Sequence, residues 1–105
     1  MYARVVSVQC QLDKLDEGIN ICRSMEASWQ QQKGFQGANL LVDRNTGKVL
    51  SISNWENRAN LDATETSGWY QEQIAKFAAI FAAPPVREIY EIALQVGLAK
   101  ELGGA

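Results

Sequence analysis

Residues 34–57 constrain the fold of this chain more than any other segment. Two largely apolar runs, 35–44 and 48–56, are joined by the short link Asn45-Thr46-Gly47. Such a link suits a hairpin of antiparallel strands in which the glycine takes the left-handed conformation. The hairpin stands between two helical patterns, and Trp55 lies where its second strand meets the second helix. The segment therefore predicts a compact α+β module with a ligand cavity near this junction.

The segment before the hairpin predicts one strand and one helix. Val5, Val6 and Val8 form a β-branched run, which favours a strand over residues 2–10. Apolar residues then recur at spacings of three and four across residues 13–32, as in an amphipathic helix.

The segment after the hairpin predicts a second helix and a last strand. Asn57 suits the N-cap of a helical region that Gly68 interrupts and that continues over residues 69–82. Two prolines, Pro84 and Pro85, forbid further helix, and the pattern of residues 86–96 favours a strand.

The resulting order is strand, helix, strand, strand, helix, strand, which is the βαββαβ arrangement of ferredoxin-like folds. Right-handed crossovers place both helices on one face of a four-stranded antiparallel sheet. We expect one domain over residues 1–98 and a C-terminal tail over residues 99–105.

The uncovered face of this sheet predicts a homodimer with the two sheets packed face to face. Strand parity assigns apolar residues to both faces: Leu40, Val42, Leu50 and Ile52 to one, and Leu41, Val49 and Trp55 to the other. A bare apolar sheet face usually marks an interface. The alternative is a monomer that tolerates an apolar patch.

Composition excludes several classes of enzyme, because the 105 residues contain no histidine. Imidazole is the usual general base near neutral pH and the usual neutral metal ligand. A Ser-His-Asp triad, a Cys-His pair, a histidine-ligated haem and a histidine-bound zinc or non-haem iron are therefore excluded. We expect no metal site.

Charge, hydropathy and cysteine usage indicate a soluble protein of the cytoplasm. The net charge is -2 with both signs interspersed, which disfavours nucleic acid and anionic membranes as partners. No apolar run approaches the roughly 20 residues needed to cross a bilayer. Cys10 and Cys22 lack the spacings of metal or redox motifs, which is typical of a reducing compartment.

The pair Gly34-Phe35 and the signature Ile52-Ser53-Asn54-Trp55-Glu56-Asn57 resemble the antibiotic biosynthesis monooxygenase (ABM) superfamily of dimeric α+β barrels. The resemblance extends over residues 2–96. It implies a small homodimer with one pocket per subunit between sheet and helices. Members include cofactor-independent oxygenases acting on polyketide-derived phenols and quinols, so it implies an oxidoreductase that needs no cofactor. Haem-degrading enzymes and members without assigned activity also belong to the superfamily.

The functional residues of the superfamily carry over in part. Trp55 falls on the tryptophan that lines the active-site cavity of the polyketide oxygenases. Ser51 stands where those enzymes have an asparagine, and Leu61 where they have a tyrosine. The haem-degrading branch uses a histidine in the second helix, and the region around Gln73 and Ile74 offers none.

The candidate substrate-binding residues begin with three on the third strand. Ser51, Ser53 and Trp55 share one face by alternation, so a ligand that touches one could touch all three. The alternative for Trp55 is a core anchor that packs the hairpin against the helices.

Three further candidates lie on other elements. Tyr70 could donate a hydrogen bond to a ligand oxygen, or it could be buried as part of the helix stripe. Arg4 could stabilise an anionic substrate, or pair with Glu88 or Glu91. Asn39 could bind ligand or satisfy a partly wet sheet.

Three hypotheses of function follow from these residues. The first is a cofactor-independent monooxygenase for a phenolic, quinol or polyketide-like aromatic substrate. The second is a non-catalytic binding module for a small aromatic molecule. The third is a structural homodimer whose cavity is filled by side chains. The fold alone does not choose among them, because one architecture hosts many functions.

Overall fold

The computed structural model describes residues 1–97, so Leu98 and the predicted tail over residues 99–105 lie outside the described residues. The regular elements are β1 (Tyr2–Gln9), a 3₁₀ turn (Leu12–Lys14), α1 (Leu15–Ser24), α2 (Glu26–Gln30), β2 (Phe35–Val42), β3 (Lys48–Trp55), α3 (Arg58–Thr66), α4 (Trp69–Ala75) and β4 (Val86–Glu91).

The strands form one antiparallel sheet in the order β2-β3-β1-β4. This confirms the predicted α+β, ferredoxin-like architecture with β1 and β3 at the centre. A buried apolar cluster between sheet and helices contains Val6 and Val8 of β1, Val49 of β3, Leu15 of α1, and Ile80. Any cavity between the sheet and the helices therefore borders this apolar cluster.

The hairpin link folds as its composition predicts. Gly47 has a φ of +80°, and its N–H donates to the Asp43 carbonyl over 2.9 Å. The Asp43 carboxylate accepts the backbone N–H of Asn45 over 2.9 Å, which pins the turn. The Gly47 carbonyl in turn accepts the N–H of Cys10 over 3.0 Å, which ties the hairpin to the end of β1.

We expect Gly47→Ala to lower the free energy of unfolding by more than about 2 kcal/mol, because a left-handed residue with a Cβ is strained. The added Cβ would also lie 2.5 Å from the Cys10 carbonyl oxygen, a backbone atom with no freedom to retreat. Gly68→Ala is the matched control, since Gly68 has a φ of +85° but a Cβ added there would meet no atom of residues 1–97 within 4 Å. Urea denaturation measures both, and equal losses would show that the clash contributes nothing.

Two predicted helices are shorter than their patterns indicated. The first breaks at Met25, a buried residue between α1 and α2. The second part of the second region ends at Ala75 instead of continuing to residue 82. Phe81 there forms a β-bridge with Cys10, and the Ala82 N–H donates to the Gln9 carbonyl over 2.7 Å. Sheet pairing has displaced the helix locally.

The last strand also ends early, at Glu91 instead of residue 96. Glu91 pairs with Tyr2, the first residue of β1. Beyond it the Ile92 N–H donates to the Met1 carbonyl over 2.9 Å. The strand therefore covers residues 86–91 of the predicted 86–96.

The hairpin register corrects the predicted division of apolar residues between the two faces. Leu41 pairs with Leu50, and Leu40 pairs with Ser51. Directly opposed residues of antiparallel strands point to the same face. Leu50 therefore shares the open face with Leu41, while Val49 lies on the helix-covered face. The predicted alternation of faces within each strand was correct, but the predicted alignment of β2 with β3 was not.

The open face of the sheet keeps an apolar centre after this correction. One row across it is Leu41, Leu50, Ser7 and Val86, and the next is Asn39, Ile52, Val5 and Glu88. Leu41, Val86 and Tyr90 are each about half exposed.

Candidate functional site

A cavity of about 70 Å³ lies between the sheet and the helices. Its wall is largely aliphatic and aromatic, and Arg4 is the one charged side chain among the described residues that line it. The other polar lining residues are Ser51, Ser53, Tyr70, Gln73 and two cysteines, Cys10 and Cys22. The apolar wall includes Val6, Leu15, Ile19, Met25, Trp29, Leu40, Trp69 and Ile74.

The two serines of β3 explain why there is space at this position. Ser51 lies in a row with Val6 and Leu40, and Ser53 lies in a row with Arg4 and Ala38. The two small side chains therefore occupy the middle of the covered face, flanked by larger neighbours in the Ser51 row. The structure brings Ser51 and Ser53 together with Arg4 and Tyr70, four of the six candidates.

Arg4 lies between two aromatic rings at one end of the cavity. Its guanidinium carbon is 4.3 Å from the centroid of the Tyr70 ring and 5.5 Å from that of the Trp55 ring. Cation–π contacts of this kind stabilise a buried guanidinium. Nη1 donates to Thr64 Oγ1 over 2.8 Å and to Glu65 Oε2 over 3.3 Å. Arg4 therefore pairs with Glu65, and the predicted pairing with Glu88 or Glu91 is wrong.

The carboxylate that pairs with Arg4 is shared with a second arginine. Glu65 Oε1 accepts from Arg87 Nη2 over 2.8 Å. The side chain of Arg4 is 3% exposed and that of Arg87 is 39% exposed. Burial lowers the pKa of Arg4 from its ordinary value, and the Glu65 carboxylate opposes that shift. Arg4 is thus a desolvated cation whose charge is only partly balanced, because the negative charge of Glu65 is shared with Arg87.

Trp55 is close to this site but does not line the cavity. It is fully buried, its Nε1 donates to Ser53 Oγ over 3.0 Å, and its ring meets Phe35 edge-on with centroids 5.5 Å apart. Ser53 and Arg4, which both contact the indole, do line the cavity. Trp55 therefore packs as a core anchor. Its hydrogen bond orients the side chain of Ser53, which does line the cavity.

Asn39 does not line this cavity, although it does line a larger cleft at the edge strand β2. It pairs with Ile52, so its side chain belongs to the open face of the sheet, opposite to Ser51 and Ser53. The alternation of β2 makes this unavoidable once Leu40 faces the helices.

A larger cleft of about 470 Å³ adjoins the cavity at the edge strand β2. Four side chains, Ile19, Cys22, Trp29 and Leu40, line both spaces and form the wall between them. The cleft also reaches Ala38, which is in the same row of the sheet as Ser53 and Arg4. Adjacent strands are about 4.8 Å apart, so Arg4 lies only about 10 Å from the cleft.

Trp29 also lines both the cavity and the cleft. Its ring stacks on Phe35 with centroids 6.0 Å apart and lies 6.4 Å from the Trp69 ring. Its Nε1 is the one fully buried side-chain nitrogen or oxygen among residues 1–97 that has no hydrogen-bond partner. A buried donor without a partner is costly, and it is available to an acceptor on a ligand. Helical spacing alone gives no signal of this.

The two thiols in the cavity are poor nucleophiles at neutral pH. Burial raises the pKa of Cys22 to about 11, and Cys10 contributes further in the same direction. Burial also raises the pKa of Cys10. Because the thiolate is the reactive form, both side chains serve chiefly as apolar wall.

We expect the alkylation of Cys22 by iodoacetamide to accelerate continuously from pH 8 to beyond pH 10, because its thiolate fraction is still rising towards a pKa of about 11. Cys10→Ser isolates this thiol, and mass spectrometry of intact protein follows the reaction. A rate that levels off near pH 8.5, where an exposed thiol titrates, would contradict the burial of Cys22.

The elements around this cavity match a known family. The family model described as antibiotic biosynthesis monooxygenase matches residues 1–82. The chain belongs to this family. The match covers β1 to α4 and thus every element that lines the cavity. It confirms the resemblance seen in the hairpin and the Trp55 signature.

Solved structures show the same fold in other proteins. A protein of unknown function from Nitrosomonas europaea superposes with a TM-score of 0.76 at 14% identity, over 93% of this chain and 94% of its own. A mutant form of SnoaB, a cofactor-independent oxygenase from Streptomyces nogalater, superposes with a TM-score of 0.72 at 11% identity. The superposition covers 90% of the present chain and 95% of the SnoaB chain. At such identities the likeness concerns the fold.

A curated relative is an uncharacterized protein of Mycobacterium tuberculosis strain H37Rv, 32% identical over 98 residues. The alignment covers 89% of this chain, and the chain spans 41% of the length of that relative.

Membrane spans and metal clusters are both absent from the part of the chain that the structure describes. No helix within residues 1–97 combines the length and apolar character that a membrane span requires. No group of three or more Cys, Asp or Glu side chains in the same range is arranged to hold a metal ion.

Proposed function

We propose that this ABM family protein is a cofactor-independent monooxygenase that acts on a phenolic or quinol aromatic of the polyketide type. The observation that carries the proposal is the buried guanidinium of Arg4 at an otherwise apolar cavity. An electron-rich phenolate reacts with dioxygen without a metal when it is held deprotonated and oriented in a dry pocket. Arg4 can stabilise the phenolate oxygen, and the apolar wall can exclude water.

The reaction balances without any redox group on the protein. An anthrone carbon with two hydrogens, together with one dioxygen, gives a quinone carbonyl and one water. One oxygen atom forms the carbonyl, and the other is reduced to water and carries away both hydrogens. The protein supplies position and charge, and the substrate supplies the electrons.

The residues that line the cavity favour a substrate that loses its proton without a protein base. No carboxylate lines this cavity within the described residues, and burial raises the pKa of Tyr70 above its ordinary value. No lining side chain is therefore a base near neutral pH. The substrate must ionise through its own acidity, aided by Arg4, so its turnover should rise with pH through the pKa of its own phenol group.

The size of the cavity limits how a substrate can bind. A void of about 150 Å³ accepts one benzene ring, whereas this cavity measures about 70 Å³. A polycyclic substrate therefore needs the adjoining cleft of about 470 Å³. Displacement of the shared wall, in particular of Trp29, would join the two spaces.

Oxygen consumption with a panel of dihydroxyanthracenones and quinols tests the proposal. We expect uptake of one dioxygen per quinone formed with at least one member, and a lower rate in Tyr70→Phe, which removes a hydroxyl from the cavity but keeps the ring on Arg4. Tyr2→Phe is the matched control, because Tyr2 does not line the cavity. Equal rates with and without protein across the panel would defeat the proposal.

A second candidate function, the non-catalytic binding module, is favoured by the absence of a base among the described side chains that line the cavity. It needs only apolar walls and a few donors, which this cavity has. Tight binding of panel members without oxygen uptake would select this function over the oxygenase.

We propose further that two copies associate through their open sheet faces. The apolar residues Leu41, Leu50, Ile52 and Val5 at the centre of this face support this arrangement, because an isolated soluble chain rarely leaves such a patch to water. The cavities lie on the opposite, helix-covered faces, so each subunit keeps its own site.

A further inference from the structure

The charges around Arg4 do not balance. Glu65 is the one carboxylate among the described residues within salt-bridge distance of Arg4, and the same carboxylate also pairs with Arg87. Two guanidinium groups therefore share one negative charge. Since Arg87 is partly solvated and Arg4 is not, the uncompensated positive charge acts mainly towards the cavity.

The hydrogen bonds of Arg4 leave donors unused. Both of its side-chain hydrogen bonds within residues 1–97 come from Nη1, one to Thr64 and one to Glu65. The N–H groups on Nε and Nη2 donate to no atom of that part of the chain, and neither nitrogen is fully enclosed, because Trp29 Nε1 is the one fully buried side-chain nitrogen there without a partner. A guanidinium presents its donors in a planar fork, so an acceptor that approaches in the guanidinium plane can reach these groups.

The surroundings favour one kind of acceptor. The cavity is apolar except for Arg4, the two serines, Tyr70 and Gln73, and the Gln73 side-chain oxygen already accepts from Lys76 over 2.9 Å. A carboxylate has two oxygens that each need several donors, which this wall cannot supply. A phenolate has a single oxygen attached directly to a flat apolar ring.

The route to Arg4 suits a flat ring as well. Trp29 and Phe35 line the outer cleft, Phe35 contacts Trp55, and Trp55 lies beside Arg4. Ser53 stands in the row between Arg4 and the cleft residue Ala38, so one small side chain separates the two along this row. An aromatic molecule in the cleft could extend one edge across Ser53 to the guanidinium.

We propose that the ligand of this cavity binds as a phenolate whose oxygen contacts the Nε and Nη2 side of Arg4, with the remaining rings in the outer cleft. The site thereby selects the ionised form of a phenol over the neutral form. The proposal deepens the proposed function and rests on it for the identity of the ligand as substrate. Selection of the anion is nevertheless independent of any reaction with oxygen.

The test measures binding of 4-nitrophenol under nitrogen, with 4-nitroanisole as the neutral probe of similar shape. We expect the phenolate to bind at least about tenfold more tightly than either neutral species, equivalent to a fall of about one unit in the pKa of the bound phenol. The phenolate absorption band reports ionisation of the bound probe directly. Equal affinity for 4-nitrophenolate and 4-nitroanisole, or no binding of the phenolate, would overturn the proposal.

Variants that change charge without removing Arg4 separate the proposal from a structural role. Glu65→Gln removes the shared negative charge, and we expect severalfold tighter binding of the phenolate. Arg87→Gln should weaken it, because Glu65 then compensates Arg4 alone. Arg58→Gln is the matched control for Arg87→Gln, since it removes the same positive charge from an exposed pair with Asp62. An equal change in Arg58→Gln and Arg87→Gln, or no change in Glu65→Gln and Arg87→Gln, would refute local selection by Arg4.

Arg4→Met should abolish the preference for the anion while leaving affinity for 4-nitroanisole. Should this variant fail to fold, the wild-type preference and the two charge variants decide the question. The outcomes also separate the two proposals. Anion selection without oxygen uptake keeps the inference and removes the oxygenase, whereas oxygen uptake without anion selection does the reverse.

Discussion

Replacement of Trp55 by alanine is expected to lower the free energy of unfolding by about 3–5 kcal/mol, the range for a large aromatic side chain removed from a packed core. Trp55 is fully buried at the end of β3. Its loss removes the ring beside Arg4, the partner of Phe35 and the donor to Ser53 Oγ. Urea denaturation followed by far-ultraviolet circular dichroism measures the change, at one protein concentration because association shifts stability.

Two variants show which property of Trp55 matters. Trp69→Ala removes a tryptophan of the cavity rim that is only partly buried, and we expect a loss of about half as much. Trp55→Phe keeps a ring in the core but loses the hydrogen bond to Ser53, so it should retain most of the stability. A loss in Trp55→Ala no larger than that in Trp69→Ala would show that the site tolerates collapse around the missing indole.

The elements of this fold were predictable because local chemistry determines them. Gly47 supplies a left-handed turn, and Asn57 caps α3 by accepting the Asn60 N–H over 2.8 Å. Alternation within β3 correctly put Ser51 and Ser53 on one face. Each of these features depends on residues within a few positions of one another.

The features that were wrong depend on partners distant in sequence. The helix after Gly68 ends early because Phe81 bridges to Cys10, and the last strand ends at Glu91, which pairs with Tyr2 of β1. The faces of the hairpin were misassigned because alternation does not fix which residue opposes which across two strands. Propensity therefore gave the kinds of element, and tertiary pairing gave their limits.

The candidate site likewise combines features that local sequence predicts with features that depend on distant partners. Arg4 was a candidate for anion binding, but its partner Glu65 lies 61 residues away on α3, so no local pattern relates the two. Trp55 matched the family signature, yet the cavity is lined by its hydrogen-bond partner Ser53 and not by Trp55 itself. A short motif thus locates the neighbourhood of a site, whereas the atoms that face a ligand follow from the register of the strands.

Leu50→Glu is expected to convert the proposed homodimer into a monomer, raising its dissociation constant by at least about 100-fold, because a charge buried against an apolar face without a partner is strongly unfavourable. Leu50 lies on β3, one of the two central strands, between Leu41 and Ser7 on the open face. In a twofold symmetric contact the substitution also brings two copies of the new carboxylate to one interface. Light scattering and sedimentation at micromolar concentration measure the mass.

Leu12→Glu is the matched control, because Leu12 is 56% exposed in the 3₁₀ turn and lies outside the sheet. It introduces the same charge on the same residue type, and we expect it to leave the mass unchanged. Circular dichroism must show that both variants stay folded, since Leu50 belongs to a central strand. A wild-type protein that is already monomeric at micromolar concentration would contradict the dimer, and the apolar rows around Leu50 would then have to be accommodated by water or by another partner.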